Sequence, residues 1–187
     1  IEEIGRVNQS LAITLEAGVS LGAMPIYRFG TEEQKREWLP KLTDASGLGA
    51  FGLTDPEAGS DAGGPRTNAP LEGGTWTMNG SKCFITTSGT DITRLVTATA
   101  VTGTRTSKSG REVPEISTIM IPTGTPGFTA EPAYDKVGWN SSDTHPLTFD
   151  NVQVPEENLL GERGRGYANF LRILDEGRIA VGALSVG

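Results

Sequence analysis

Apolar residues recur at helical spacing at both ends of this chain and at alternate positions through its middle, so the pattern predicts helix, then strand, then helix again. In residues 1–44, Ile4, Leu11 and Leu15 fall along one helical face, and Gly22 with Pro25 is expected to break the helix before a short turn to Phe29. Gly30 then acts as a stop. Thr31 as N-cap, Glu32 and Glu33 in the first turn and Gln34 as the returning partner make a capping box for a helix through Trp38 and Leu42. Composition shifts at Gly47. Up to about Pro155 the chain is rich in Thr, Val, Ile, Gly and turn residues, in short alternating runs separated by loops, as an all-β domain reads. After Leu160, Gly161, Gly164 and Gly166 form the entry to a last helix whose apolar stripe is Tyr167, Phe170, Leu171 and Leu174. These changes divide the chain into residues 1–46, 47–158 and 159–187, and the fold class is α+β.

Two stretches of the middle part stand out. Residues 51–61, FGLTDPEAGSD, begin as a strand with Phe51 and Leu53 on one face. After Thr54, Pro56 fixes one dihedral and Gly59 permits a positive one, so a tight loop is expected. Such a loop can aim several backbone N–H groups at one anion. Asp55, Glu57 and Asp61 carry the wrong charge for that role, and an ordinary turn is the reading from the residues alone. Residues 75–86, TWTMNGSKCFIT, predict a hairpin, because Asn79-Gly80 between alternating flanks signals a two-residue type I′ turn. Counting outward pairs Met78 with Ser81, Thr77 with Lys82, Trp76 with Cys83 and Thr75 with Phe84. Trp76, Met78, Cys83 and Ile85 then share an apolar face, and Thr77, Lys82, Phe84 and Thr86 share the other. An aromatic ring on the more polar face gains nothing from water, so either another segment of the protein or a ligand covers Phe84. Strands are also expected over residues 113–121, 127–131 and 147–154, the last preceded by a Ser-rich turn, KVGWNSSDT.

Charge and composition narrow the classes. Net charge is −7 with no basic run, which argues against a nucleic-acid surface. Cys83 is the only cysteine, so no disulfide framework exists and a reducing compartment fits. No apolar run is expected to span a bilayer and no secretory signal opens the chain, so a cytoplasmic protein without a membrane partner is the expectation. The chain starts at Ile1 without an initiator Met and closes on the apolar pattern of residues 179–186 with no stop signal, so both ends read as internal to a longer chain. His145, the only histidine, stands beside Pro146 with no nucleophile motif, which removes it as a general base; one His and one Cys cannot hold zinc, so no metal is expected. On the last helix Arg178 follows Leu174 by four residues. A charge that continues an apolar stripe is costly unless paired, and Asp175 is a helical partner for it.

FGLTDPEAGSD resembles the aromatic-x-x-Thr-Glu-Pro-x-x-Gly-Ser-Asp stretch of the acyl-CoA dehydrogenases, with Asp55 where that family usually has Glu. YRFGTEEQK, from Tyr27, is similar to the run that ends the family's N-terminal helical domain, and NGSKCFIT to its Asn-Gly-x-Lys-x-aromatic-Ile-Thr segment. KVGWNSSDT resembles its Lys-x-Gly-x-x-x-Ser-x-Thr loop, and LDEGR the Leu-Asp-x-x-Arg run on the first helix of its C-terminal domain. Together the five motifs cover essentially the whole chain, which no single motif would do. The resemblance implies the end of the N-terminal helical domain, a barrel-like β-domain and the start of the C-terminal helical domain. It implies FAD as cofactor, with Phe51 and Leu53 lining the flavin, Thr54 on its pyrimidine side, and Gly59 and Ser60 at the pyrophosphate and the CoA arm. Phe84, Ile85 and Thr86 would lie against the flavin, Phe84 beside the ring system and Thr86 near N5. Ser60, Ser142, Asp175 and Arg178 would contact the acyl-CoA. Thr87 stands where Asn is common, Cys83 at a variable site, and His145 where the family often has Arg. Gly177 occupies the position at which some members hold the catalytic Glu, so no catalytic residue is assigned here, the base is expected beyond Gly187, and this segment alone is expected to be inactive.

The activity so implied is α,β-dehydrogenation of an acyl-CoA thioester: a carboxylate removes the α-proton while the β-hydrogen leaves as hydride to flavin N5. Electrons would pass to electron transfer flavoprotein, and a homo-oligomer, dimer or tetramer, would complete each FAD site. An acyl-CoA oxidase would share these motifs and deliver electrons to oxygen. A non-catalytic β-module, with Phe84 on an interaction face, is the reading from a different class.

Overall fold

The structure, a computed structural model, describes residues 1–107 and 109–187. Its helices are α1 (Glu2–Gly5), α2 (Gln9–Glu16), a π-helical stretch (Ala17–Ala23), α3 (Met24–Phe29), α4 (Glu32–Thr43) and α5 (Gly166–Val186). Among the described residues, seven strands run between α4 and α5: β1 (Leu48–Gly52), β2 (Leu71–Glu72), β3 (Thr75–Thr86), β4 (Thr93–Thr106), β5 (Glu112–Pro122), β6 (Phe128–Ala130) and β7 (Thr144–Pro155). The class is α+β, with the strands between helical segments.

The N-terminal helices differ from the sequence reading in two ways. Gly22 and Pro25 do not break the run, which stays helical from Gln9 to Phe29; Pro25 sits in the first turn of α3, where a missing N–H costs little. The face is also different. Leu11 and Leu15 are exposed, whereas Ala12, Ala17, Ala23 and Ile26 are buried. Close approach explains the choice: a Cβ on Gly22 would lie 2.6 Å from the Gly49 carbonyl oxygen of β1, so the narrow, small-residue face of the helix is the one that meets the sheet. By length and mean hydropathy (1.2) this run is apolar enough to cross a bilayer, contrary to the expectation from the sequence; here it packs against β1 and α5. The capping box at α4 is present as expected, with Gln34 N donating to Thr31 Oγ1 (3.2 Å) and Thr31 N to Gln34 Oε1 (3.0 Å). Gln34 also donates to the carbonyls of Glu157 and Leu159, which fastens α4 to the segment leading into α5.

The strands form two sheets, ordered β1-β4-β5 and β2-β3-β7-β6, with β1 parallel to β4 and the other pairs antiparallel. Ala50, Val96, Ala98, Ile119 and Ile121 of the first face Trp76, Met78, Ile85, Leu147 and Phe149 of the second in one core. Asn68 bridges both β3, at Asn79, and β4, at Val101, which joins the sheets along one side and gives the domain its barrel-like closure.

Asn79-Gly80 is not a hairpin turn. β3 runs straight through it and pairs with β7, not with itself, and the register slips between Met78 and Gly80. Gly80 has φ +136°, and a Cβ there would lie 2.7 Å from Thr67 Cα, so glycine serves a β-bulge against the crossing segment. Asn79 fills its own role by exchanging backbone hydrogen bonds with Asn68, and its Oδ1 accepts from Asn151 N. The apolar face of the sequence reading nonetheless survives, since Trp76, Met78, Cys83 and Ile85 are all buried.

Lys82 corrects the other face. It is fully buried, and its Nζ donates to Asp55 Oδ1 (2.5 Å), the Leu53 carbonyl (3.1 Å) and Thr99 Oγ1 (3.2 Å). Asp55 Oδ2 accepts from the backbone N–H groups of Arg66 and Thr67, each at 2.7 Å. The loop after β1 thus gathers backbone donors around an anion, but the anion is its own Asp55. Burial pushes the Lys82 pKa down from its ordinary value, and the Asp55 charge opposes that shift.

Two outcomes follow for stability. Replacing Gly80 with Ala is expected to cost about 1–3 kcal/mol, read as a lower urea midpoint at constant slope; an unchanged midpoint would mean the bulge tolerates a side chain. Lys82→Met strands a buried carboxylate and is expected to cost about 3–5 kcal/mol, with part of the loss recovered in the Lys82→Met/Asp55→Asn pair.

Candidate functional site

A second register slip in β3, between Lys82 and Ile85, turns one residue out of the sheet. That residue is Phe84, whose φ of +60° is unusual for a bulky side chain. Cys83 N donates to the Thr54 carbonyl (2.9 Å), so the strand is tied to the end of β1 just before it turns. One face of the Phe84 ring stacks on Tyr134, with centroids 5.1 Å apart, yet the ring remains 67 % exposed. Thr87 (φ +59°) and Trp139 (φ +56°) are also left-handed, so three of the five such non-glycine residues among the described ones surround Thr86. Strain held at one place by buried contacts marks a site shaped for something other than packing. Thr87 is held by hydrogen bonds from its Oγ1 to the Gly49 (2.9 Å) and Thr86 (2.6 Å) carbonyls.

Two cavities meet at Thr86. One, of about 60 Å³, is lined by Ala17 and Leu21 of the π-helical stretch with Phe51, Phe84, Thr86 and Thr87. The other, of about 400 Å³, is lined by Ile13, Thr86, Lys136, Val137, Gly138, Trp139, Ser142 and Thr144. Lys136 closes the loop behind it, donating to the Ser142 carbonyl and to Thr144 Oγ1 (2.9 Å). Thr86 Oγ1 makes no hydrogen bond to a described residue. An open aromatic face beside a free hydroxyl, walled by apolar side chains, fits a flat heteroaromatic ring such as a flavin.

The sites named from the sequence are only partly brought together. Phe51, Phe84, Thr86 and Ser142 line these two cavities. Phe51 also stacks on Phe170 of α5, at 3.8 Å between centroids, so it serves packing as well. Leu53 packs beside that cluster and Thr54 is half-buried next to β3. Ile85 is a correction: its side chain lies in the core between the sheets, which leaves only its backbone for a cofactor. Gly59 and Ser60 are exposed, and Gly59 does not adopt the positive φ expected of it; Pro56 lies within a plain turn in which Ala58 N donates to the Asp55 carbonyl. Ala17, Leu21, Lys136 and Trp139 were not singled out from the sequence. Their signal was weak, because small or solitary residues in loops and helices carry no period.

On α5 the buried stripe is Asn169, Phe170, Ile173, Gly177 and Leu184, while Leu171 is exposed. Arg178 therefore does not interrupt it, and it pairs with Asp175 on the exposed side. Glu176 pairs with Arg28 of α3 at 2.9 Å. His145 has both ring nitrogens engaged, by the Glu131 carbonyl (2.6 Å) and Asp143 (2.8 Å). Gly177 faces Glu16: a Cβ there would lie 3.0 Å from Glu16 Oε1.

Glu16 is only 3 % exposed, and burial raises its pKa from the ordinary 4.5, against a smaller opposing effect of a hydrogen bond from Ser20. A carboxyl with a raised folded pKa favours folding below its unfolded value, and that contribution is lost as pH rises through the folded value. Glu16→Gln is accordingly expected to raise the thermal midpoint at pH 7 and to change it little at pH 4. Equal effects at both pH values would show that Glu16 is solvated.

Comparison with known proteins agrees with this geometry. Residues 50–152, more than half the chain, match the family model "Acyl-CoA dehydrogenase, middle domain", and residues 1–46 match "Acyl-CoA dehydrogenase, N-terminal domain". The probable acyl-CoA dehydrogenase YngJ of Bacillus subtilis (strain 168) is 46 % identical over 187 residues, covering 100 % of this chain and 48 % of that protein. The structure of butyryl-CoA dehydrogenase from Megasphaera elsdenii superposes with a TM-score of 0.88 at 43 % identity, over 98 % of this chain and 46 % of the other. An acyl-CoA dehydrogenase from Bacillus anthracis, complexed with FAD, does so with a TM-score of 0.86 at 35 % identity, over 97 % of this chain and 30 % of the other. The chain spans about half the length of the curated relatives it matches. With the two domain models matched over residues 1–46 and 50–152, the chain belongs to the acyl-CoA dehydrogenase family.

Proposed function

We propose that the protein carrying this chain is an FAD-dependent acyl-CoA dehydrogenase acting on short acyl-CoA thioesters. The observation that carries the reading is Phe84, an aromatic ring forced out of its strand and left open beside the free Thr86 hydroxyl. The butyryl-CoA dehydrogenase of Megasphaera elsdenii supports a four-carbon acyl chain as the first substrate, and the Bacillus anthracis complex supports FAD. Phe51, Phe84 and Thr86 would hold FAD, which when bound would supply a hydride acceptor for the β-hydrogen of the thioester.

The chain's own residues position the partners. Phe84 and Phe51 offer apolar surface to the flavin ring, and Thr86 donates its hydroxyl to it. Ser142, which lines the larger cavity, and the exposed Ser60 of the loop after β1 would hold the thioester's arm. Asp175 and Arg178, paired and exposed in this structure, exchange their mutual contact for the substrate. Among the described residues no carboxylate lines either cavity at Thr86, so the base that takes the α-proton is supplied from outside this segment. Electrons then leave to electron transfer flavoprotein, and a homo-oligomer completes the FAD site.

The test uses the full-length protein loaded with FAD. Anaerobic mixing with butyryl-CoA is expected to bleach the flavin at roughly 1 per second or faster. Thr86→Val is expected to slow bleaching or weaken FAD retention by about 1–3 kcal/mol, the worth of one buried hydrogen-bond partner. A protein that neither takes up flavin nor bleaches would overturn the reading, and rapid peroxide formation in air would transfer it to the oxidases.

A further inference from the structure

A cavity of about 240 Å³ lies where the start of α5 meets the end of α3. Its walls are Phe29, Gly161, Glu162, Arg165, Asn169 and Arg172, none of which the dehydrogenation reading uses. Arg165, Asn169 and Arg172 follow one another at i, i+4 and i+7, so they stand on one face across the first two turns of the helix. Arg165 also borders a larger cavity, of about 560 Å³, at the far ends of β4 and β5. Asn169 and Arg172 do not border it, so the two spaces are distinct.

Asn169 is the informative residue. It is only 7 % exposed, and its side-chain amide has no hydrogen-bond partner among the described residues. A buried amide without a partner is costly, and because Asn169 lines the cavity, a ligand held there can supply one. Gly161 keeps the approach open. Its φ is +74°, and a Cβ there would lie 3.1 Å from Asn169 Nδ2 and 3.3 Å from Phe29 Cβ, so any side chain would press into the space beside the amide. Phe29 forms the apolar wall and is itself packed against two of the core clusters, which fixes the shape.

The charges favour an anion. Neither Arg165 nor Arg172 pairs with a carboxylate among the described residues, although the chain carries a net charge of −7. Glu162 is the single acid among the walls, so two cations face one carboxylate. The start of α5, a helix of 21 residues with no side-chain cap, adds the positive end of its dipole. Guanidinium groups only donate, in forks that match phosphate oxygens two at a time, and the Asn169 amide adds a further donor. A monocarboxylate has two oxygens and would occupy one fork; a phosphate group has enough for both forks and the amide. A volume of about 240 Å³ lies below the roughly 300–1,000 Å³ of sites for drug-sized ligands, which suits a phosphate group and excludes a whole nucleotide.

We propose that this cavity binds a phosphate group, held by Arg165, Arg172 and Asn169 and separate from the flavin and thioester surfaces. Free inorganic phosphate and the phosphate of a small phosphomonoester share this chemistry. The site joins α5 to Gly161 and to Phe29 of α3, so occupancy stabilises their contact: a ligand that binds only the folded state raises its stability as the ligand concentration grows. Glu162 works against the anion and holds the affinity below what the two arginines would give.

The test follows the thermal midpoint of the full-length protein in inorganic phosphate and in ribose 5-phosphate, against potassium chloride at equal ionic strength. The midpoint is expected to rise with phosphate or its monoester and not with chloride, and calorimetric titration with the same compound is expected to give one site per chain. Arg165→Gln/Arg172→Gln is expected to weaken that affinity about tenfold or more, and Glu162→Gln to strengthen it. Asn169→Leu removes the unpartnered amide, so it is expected to keep or raise the midpoint in chloride while losing the response to phosphate. A response to ribose 5-phosphate alone would assign the site to a phosphomonoester, and a response to inorganic phosphate would assign it to the phosphate group itself. No response to either compound, or a response of equal size in the double arginine variant, would overturn the proposal. The outcome is independent of the acyl-CoA reading, since no thioester enters the measurement.

Discussion

The buried pair of Asp55 and Lys82 holds the β-domain's functional edge together. Lys82 reaches across from β3 to the carbonyl of Leu53 and the hydroxyl of Thr99, so β3, β4 and the segment just after β1 share one ammonium group. Asp55 in turn collects the backbone donors of Arg66 and Thr67, which fixes where the loop after β1 goes. Removing two charges from water is expensive, and the pair is tolerable only because nearly every polar atom around it has a partner. The same residues that satisfy the pair flank Thr54 and Phe84. A shift in the pair would therefore move the candidate flavin surface, although neither charge touches it.

Around this anchor the backbone accepts strain. Phe84, Thr87 and Trp139 are left-handed where non-glycine residues rarely are, and each borders the cavities at Thr86. Regular pairing of β3 with β7 would have set Phe84 on one face of the sheet in step with its neighbours. The slip after Lys82 breaks that pairing and presents the ring outward, with Tyr134 supporting one face. Packing elsewhere keeps the slip in place, since Ile85 immediately after it is locked in the core.

The helical segments complete the site by coming close. Gly22 against Gly49 lets the π-helical stretch approach β1, which brings Ala17 and Leu21 to the cavity with Phe51 and Phe84. α5 lies across the same region, with Phe170 stacked on Phe51 and Gly177 against Glu16. Its N-terminal end borders the cavity at the far ends of β4 and β5, and its middle carries the exposed pair of Asp175 and Arg178.

The sequence by itself determined the class of each segment. The capping box at Thr31 and Gln34 is local chemistry, complete within four residues, and so it was legible. The apolar face of Trp76, Met78, Cys83 and Ile85 was legible because burial of large side chains does not depend on which strand is the partner. The family motifs likewise singled out Phe84 and Thr86, which line one cavity in the structure. What only the tertiary structure decided is what depends on a distant neighbour. Asn79-Gly80 has the local preference of a turn, yet Thr67 crossing at that point and β7 pairing alongside make it a bulge in a straight strand. Leu11 and Leu15 have the right spacing for a core face, yet the close approach of Gly22 to Gly49 selects the small-residue face instead. Lys82 reads as a surface residue until Asp55, 27 positions earlier in the chain, is placed against it. Local sequence encodes propensity and pattern, while the partner of a charge, a glycine or a helix face is set by long-range packing, which no short window contains.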